Sequence, residues 1–132
     1  MVSRYLHRLY DTIISRGYIE VEQIIFDNRS NQRGTIRGKL KFHDGSLLDF
    51  GEVIILQNRH IVKLRYAYHY QDALGEKVFR YDNAPHHPTV STHPHHKHVG
   101  TAVEPTQAPD LSEVLRENEQ LIFEADGSAE KT

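Results

Sequence analysis

Apolar residues first recur at helical spacing and then at strand spacing. Val2, Leu6, Leu9 and Ile13 fall on one stripe, which predicts a helix over 3–14. Ser3 is its candidate N-cap, and Gly17 stands where a C-cap glycine belongs. Residues 18–21 and 24–26 are β-branched and aromatic enough for a first strand, which Asn28-Arg29-Ser30-Asn31 breaks as a loop. From Thr35 the period is two. Ile36, Leu40 and Phe42 share a face, and His43-Asp44-Gly45-Ser46 supplies an Asp-Gly hairpin turn.

The returning strand, 47–56, puts Leu48, Phe50, Glu52, Ile54 and Leu56 on one side. Glu52 therefore needs a partner, because an unpaired buried charge is costly. A salt bridge closing the sheet is the expected solution, with a catalytic role for Glu52 as the alternative. In the next strand, 61–71, Val62, Leu64, Tyr66, Tyr68 and Tyr70 point one way and Lys63, Arg65, Ala67 and His69 the other. A turn at 72–75 leads to a short strand over 77–82, with Phe79 and Tyr81 on one face and Val78, Arg80 and Asp82 on the other. Pairing these two strands would gather Arg65, His69, Arg80 and Asp82.

Residues 83–109 hold all five prolines and show no apolar periodicity, which predicts a long loop. Asp110 then caps a last helix, with Glu113 at the capping-box position and Leu111, Val114, Leu115, Leu121 and Ile122 as its stripe. The pattern predicts an α+β fold: an antiparallel four- or five-stranded meander with an N-terminal and a C-terminal helix packed on one face. One domain over 1–124 is expected, its functional loop at 83–109, followed by a disordered tail over 125–132.

Composition narrows the function classes. A chain of 132 residues that is 38% hydrophobic and 26% charged can build one real core. It has no cysteine, which excludes disulfides, thiolate metal sites and a cysteine nucleophile. No apolar run has the length of a membrane span and the start lacks a signal-peptide core, so a cytoplasmic protein without a membrane partner is expected. The net charge of −2 hides an asymmetry. Residues 29–80 carry ten Lys and Arg against five acids, and 104–132 carry eight acids against Arg116 and Lys131. A basic middle of this kind suits a polyanion such as RNA.

The stretch 80–98, RYDNAPHHPTVSTHPHHKH, concentrates the chemistry. It contains six of the ten histidines, interrupted by Pro85, Pro88 and Pro94 as no purification tag is. Imidazole titrates near neutral pH and ligates metals. One reading is acid–base catalysis without a cofactor: His69, His86 and His96 exchange protons, Asp82 orients one imidazole, and Lys97, Arg80 or Arg65 stabilises developing negative charge. Arg65, Tyr81, His87 and His98 would then bind substrate. A second reading is a divalent metal held by His93, His95, His96 and His98, as a metal-binding protein or metallonuclease. The third is a non-catalytic nucleic-acid-binding module.

Several motifs together resemble a known family. They are Asp44-Gly45-Ser46, Glu52, Arg65-Tyr66-Ala67-Tyr68-His69-Tyr70-Gln71, Arg80-Tyr81-Asp82-Asn83-Ala84-Pro85-His86-His87 and Pro94-His95-His96-Lys97-His98. Over roughly residues 36–124 the chain resembles the TumE family, small prokaryotic toxins encoded beside a helix-turn-helix antitoxin. The resemblance implies a toxin of a toxin–antitoxin system with such an antitoxin as its partner. The histidines add an expected activity, an endoribonuclease, and a homo-oligomer is a further option.

Overall fold

The computed structural model describes residues 1–130, with side chains as far as Ala125. Its elements run α1 (Val2–Ile14), β1 (Glu20–Ser30), β2 (Arg33–Lys41), β3 (Leu47–Gln57), β4 (His60–Gln71), β5 (Lys77–Asp82), β6 (His96–Val99), β7 (Ala102–Pro105) and α2 (Leu111–Glu130). All strands join one antiparallel sheet in sequence order, β1 to β7. The α+β class and the two terminal helices are as expected; the strand number is not. The meander has seven strands rather than four or five, because the segment 83–109 is not all loop. Its prolines sit in the turns before β6, at the end of β7 and just before α2, and the proline-free His96–Val99 pairs on both edges.

The helices cover one face. Val2, Leu6, Leu9 and Ile13 of α1 and Leu111, Val114, Leu115 and Ile122 of α2 share a core with Ile36, Leu40, Phe50, Tyr68 and Phe79. Each such side chain contributes roughly 1.5–3 kcal/mol by leaving water. Arg16 joins the helices through an ion pair to Glu119 at 2.9 Å. Asp110 caps α2 as expected, accepting from the Glu113 N–H at 2.8 Å. The first helix is capped differently. It begins after Met1, and Ser15 ends it by donating its N–H to the Asp11 carbonyl, so Gly17 is not its cap. The backbone of α2 continues to Glu130; side chains 126–132 of the expected tail lie outside the described residues. No helix among the described residues is long and apolar enough to cross a membrane.

The Asp-Gly turn forms as predicted. Gly45 adopts φ 85°, and Asp44 accepts from the Ser46 N–H at 3.0 Å. The alternation of β4 fails in one place. Arg65 pairs with Val53 and Lys63 with Ile54, so Leu64 is an extra residue opposite no partner. Leu64 turns outward to 44% exposure. Lys63 is thereby sent to the helix side, where its Nζ lies 3.6 Å from Glu52 Oε2 and donates to the Tyr68 hydroxyl and the Pro109 carbonyl. Glu52 also accepts from the Tyr5 and Tyr68 hydroxyls. The bulge thus supplies the partner that Glu52 requires.

Two glycines of β2 lie on the helix side because there is no room for more. A Cβ on Gly38 would stand 2.5 Å from Phe50 Cε1. Phe50 is buried and stacked on Tyr68, so it cannot yield. Gly38→Ala is expected to cost about 1–3 kcal/mol, measured by urea denaturation. Gly51→Ala is the control, since its nearest neighbours would lie at 3.7 and 3.8 Å. Equal stability of the two variants would refute this account.

Candidate functional site

The face away from the helices is open and polar, and the strand register decides what meets there. Directly paired residues share a face. One row therefore crosses the sheet as Lys39, Asp49, His69, Arg80 and His98, and the next as Arg37, Gly51, Ala67, Asp82 and His96. Gly51 and Ala67 carry almost no side chain at the centre. The result is a depression of about 790 Å³, rimmed by Arg37, Asp49, Arg65, His69 and Arg80.

Asp82 is the hub at one end of this depression. Its Oδ2 accepts from Arg80 Nε at 3.0 Å, and its Oδ1 accepts from the Ala84 N–H at 3.0 Å. His96 Nε2 lies 3.0 Å from Oδ1, and His98 Nε2 lies 3.6 Å from Oδ2. Burial alone would push the Asp82 carboxyl up. The Ala84 N–H, the Arg80 guanidinium and His96 outweigh that and hold it below the usual carboxylate range. His96 is 2% exposed, with its Nδ1–H donating to the Pro94 carbonyl at 2.8 Å.

On the other side of Arg80 stands His69, whose Nδ1 is 3.5 Å from an Arg80 guanidinium nitrogen. Burial first, and then the Arg80 charge, lower the proton affinity of His69. His98 is also lowered, mainly by burial and against the pull of Asp82. Two imidazoles that shed protons readily therefore flank one guanidinium.

Asn83 holds the chain where it leaves β5. Its side chain accepts from the Tyr66 N–H and donates to the Leu64 carbonyl, which also satisfies the backbone beside the bulge. A run of tight turns follows, among them Val90 N–H to His87 O and His95 N–H to Thr92 O. These turns bring His87 back over β6. Its ring lies 4.8 Å from that of His96 and 5.4 Å from that of His98.

Of the residues singled out in the sequence, the structure brings together His69, Arg80, Asp82, His87, His96 and His98, with Arg65 on the rim of the depression. It does not bring Lys97 or Tyr81 there. Both face α2, where Lys97 Nζ lies 2.6 Å from Glu117 Oε2 and the Tyr81 hydroxyl donates to Glu117 Oε1. Glu117 and Tyr81 raise the proton affinity of Lys97 although burial opposes it. His86 is exposed in the loop. The four proposed metal ligands do not converge. His95 stacks on Tyr66 with its Nδ1 2.9 Å from that hydroxyl, and His93 is exposed with its Nδ1 directed at the His87 carbonyl. The set that converges is His87, His96 and His98.

Arg37 and Asp49 were not among the sequence candidates. The signal for them was available: both lie at polar positions of alternating strands whose register the Asp-Gly turn sets.

A family model described as Toxin TumE matches residues 6–122. The chain belongs to this family. The match reaches back through α1, so membership extends beyond the region around 36–124 whose motifs first indicated it. The family's description assigns a toxin role, and the depression with its histidine end lies within the matched span. No curated relative and no solved structure matches the chain significantly.

Proposed function

We propose that this TumE-family toxin acts as an endoribonuclease, with acid–base chemistry supplied by histidine. The observation that carries the reading is the row His69–Arg80–His98 across three adjacent strands, with Asp82 anchoring the arginine. Neighbouring strands are about 4.8 Å apart, so the two histidines flank a space of phosphate size above Arg80. Cleavage through the ribose 2′-hydroxyl needs a base for that proton, an acid for the departing 5′-oxygen, and a cation for the charge on phosphorus. His69, kept neutral by burial and Arg80, suits the base. His98, which burial inclines to give up its proton while Asp82 partly opposes that, suits the acid, and Arg80 is the cation. Arg37 and Arg65 line the approach for the rest of the backbone.

The partner that silences the toxin is an antitoxin, and the basic depression suits an acidic segment of it. Incubating tag-free protein with RNA in excess EDTA tests the activity. Expected are fragments ending in a 2′,3′-cyclic phosphate, and none from a strand with 2′-deoxyribose at the scissile position. Salt-sensitive binding without cleavage would replace the enzyme with a binding module. Cleavage abolished by EDTA would remove the metal-free mechanism.

A further inference from the structure

His96 and His98 alternate with Lys97 along β6, so both imidazoles leave the strand on the same side. His87 meets them from the turn above. The three rings stand edge to face, at 63° and 73° from His87 and at 80° between His96 and His98. One nitrogen from each lies within 4.8 Å of the others. Two details show what such a group asks for. His96 donates its Nδ1–H to the Pro94 carbonyl, which turns its Nε2 toward the cluster, the orientation that outer hydrogen bonds impose on ligating histidines. That Nε2 nevertheless faces a carboxylate oxygen of Asp82 at 3.0 Å, with His98 Nε2 beside the other oxygen. With its Nδ1–H committed to Pro94, a neutral His96 would turn a lone pair toward the carboxylate, so a proton or a metal ion is needed at its Nε2. A proton serves one ring, whereas a metal ion serves all three.

We propose that His87, His96 and His98 form a site for one divalent transition-metal ion of the zinc class, with Asp82 as its counter-charge. Three neutral imidazoles are a common donor set for such ions. Zn–N bonds of about 2.0–2.1 Å require the nitrogens to draw together from their present separations. His87 lies on a turn outside the strands, so its approach does not require a change in the sheet. The site shares His98 with the row described above. An ion there takes the lone pair that proton transfer uses, so metal binding suppresses cleavage. This consequence rests on the proposed ribonuclease reading; the binding itself does not.

The experiment uses full-length protein without an affinity tag, stripped by a chelator and titrated with Co²⁺ and then Zn²⁺. Expected is one equivalent of Co²⁺ bound, with the visible absorption of a four-coordinate nitrogen-ligated ion, and its displacement by Zn²⁺. His87→Ala should weaken binding by at least about tenfold, while His93→Ala and His95→Ala leave it unchanged. Weak binding at several equivalents, or equal losses in all three variants, would overturn the site. The wild-type Co²⁺ spectrum stands as evidence even if His87→Ala folds poorly. In the second arm, RNA cleavage should fall in proportion to Zn²⁺ occupancy. Activity restored by Zn²⁺ to an inactive stripped protein would overturn the inhibition. Absence of cleavage in every state would defeat the ribonuclease reading and leave the titration to decide the site.

Discussion

His69→Ala is expected to lower the rate of RNA cleavage by about 10²–10⁴-fold, the usual contribution of a general acid or base. His69 is the proton-transfer candidate outside the three-histidine cluster, so its loss reads the acid–base step without disturbing metal binding. The pH profile carries a second signature. A base works while neutral, and both burial and Arg80 disfavour the protonated form of His69. The rising limb of activity should therefore lie below the ordinary histidine value of 6.5. Arg80→Gln removes one of these causes and should raise the His69 midpoint part of the way back, followed by NMR titration of the ring. Burial remains, so full recovery is not expected. A His69→Ala protein that cleaves RNA at the wild-type rate would remove this residue from the reaction, and a rising limb above 6.5 would assign it to another group.

Glu52→Ala should produce the largest loss of stability, about 3–5 kcal/mol, because it strands a partly buried cation beside two tyrosine hydroxyls. Glu52 is 2% exposed and accepts from Tyr5 and Tyr68 while facing Lys63. Without it, Lys63 loses its ion-pair partner and keeps hydrogen bonds only to the Tyr68 hydroxyl and the Pro109 carbonyl, and two hydroxyls lose their acceptor. Replacing both members of the pair, as Glu52→Leu with Lys63→Met, should recover much of the loss, since an apolar pair needs no counter-charge. Urea denaturation of both proteins measures this. If Glu52→Ala unfolds at the wild-type midpoint, the cluster is not holding α1 and the sheet together.

The two helical stripes, the Asp-Gly turn and the alternation of β2 and β3 were legible because each is local. A period of 3.6 or two in the side chains states which face will be buried, and the turn sets the register between neighbours. The concentration of histidines in the stretch 80–98 was legible from composition, and the toxin family from motifs there and in the strands before it. The strands β6 and β7 were not. At four residues each, they form because β5 offers an open edge and Asp82 attracts His96 and His98, and neither cause leaves a periodic trace.

The sequence by itself therefore determined the class of fold, most of the core faces and the family, and it supplied the candidate side chains for the site. Tertiary structure decided which of those side chains meet. Histidines adjacent in the chain were separated by the pleat and the turns: His95 went to Tyr66, and His96 to Asp82. One extra residue at Leu64 reversed the direction of Lys63 and gave Glu52 its partner. The register of three strands set Arg80 between His69 and His98, residues 29 positions apart in the chain. Side-chain direction in a sheet depends on parity, and parity is known only once bulges and pairings are in place.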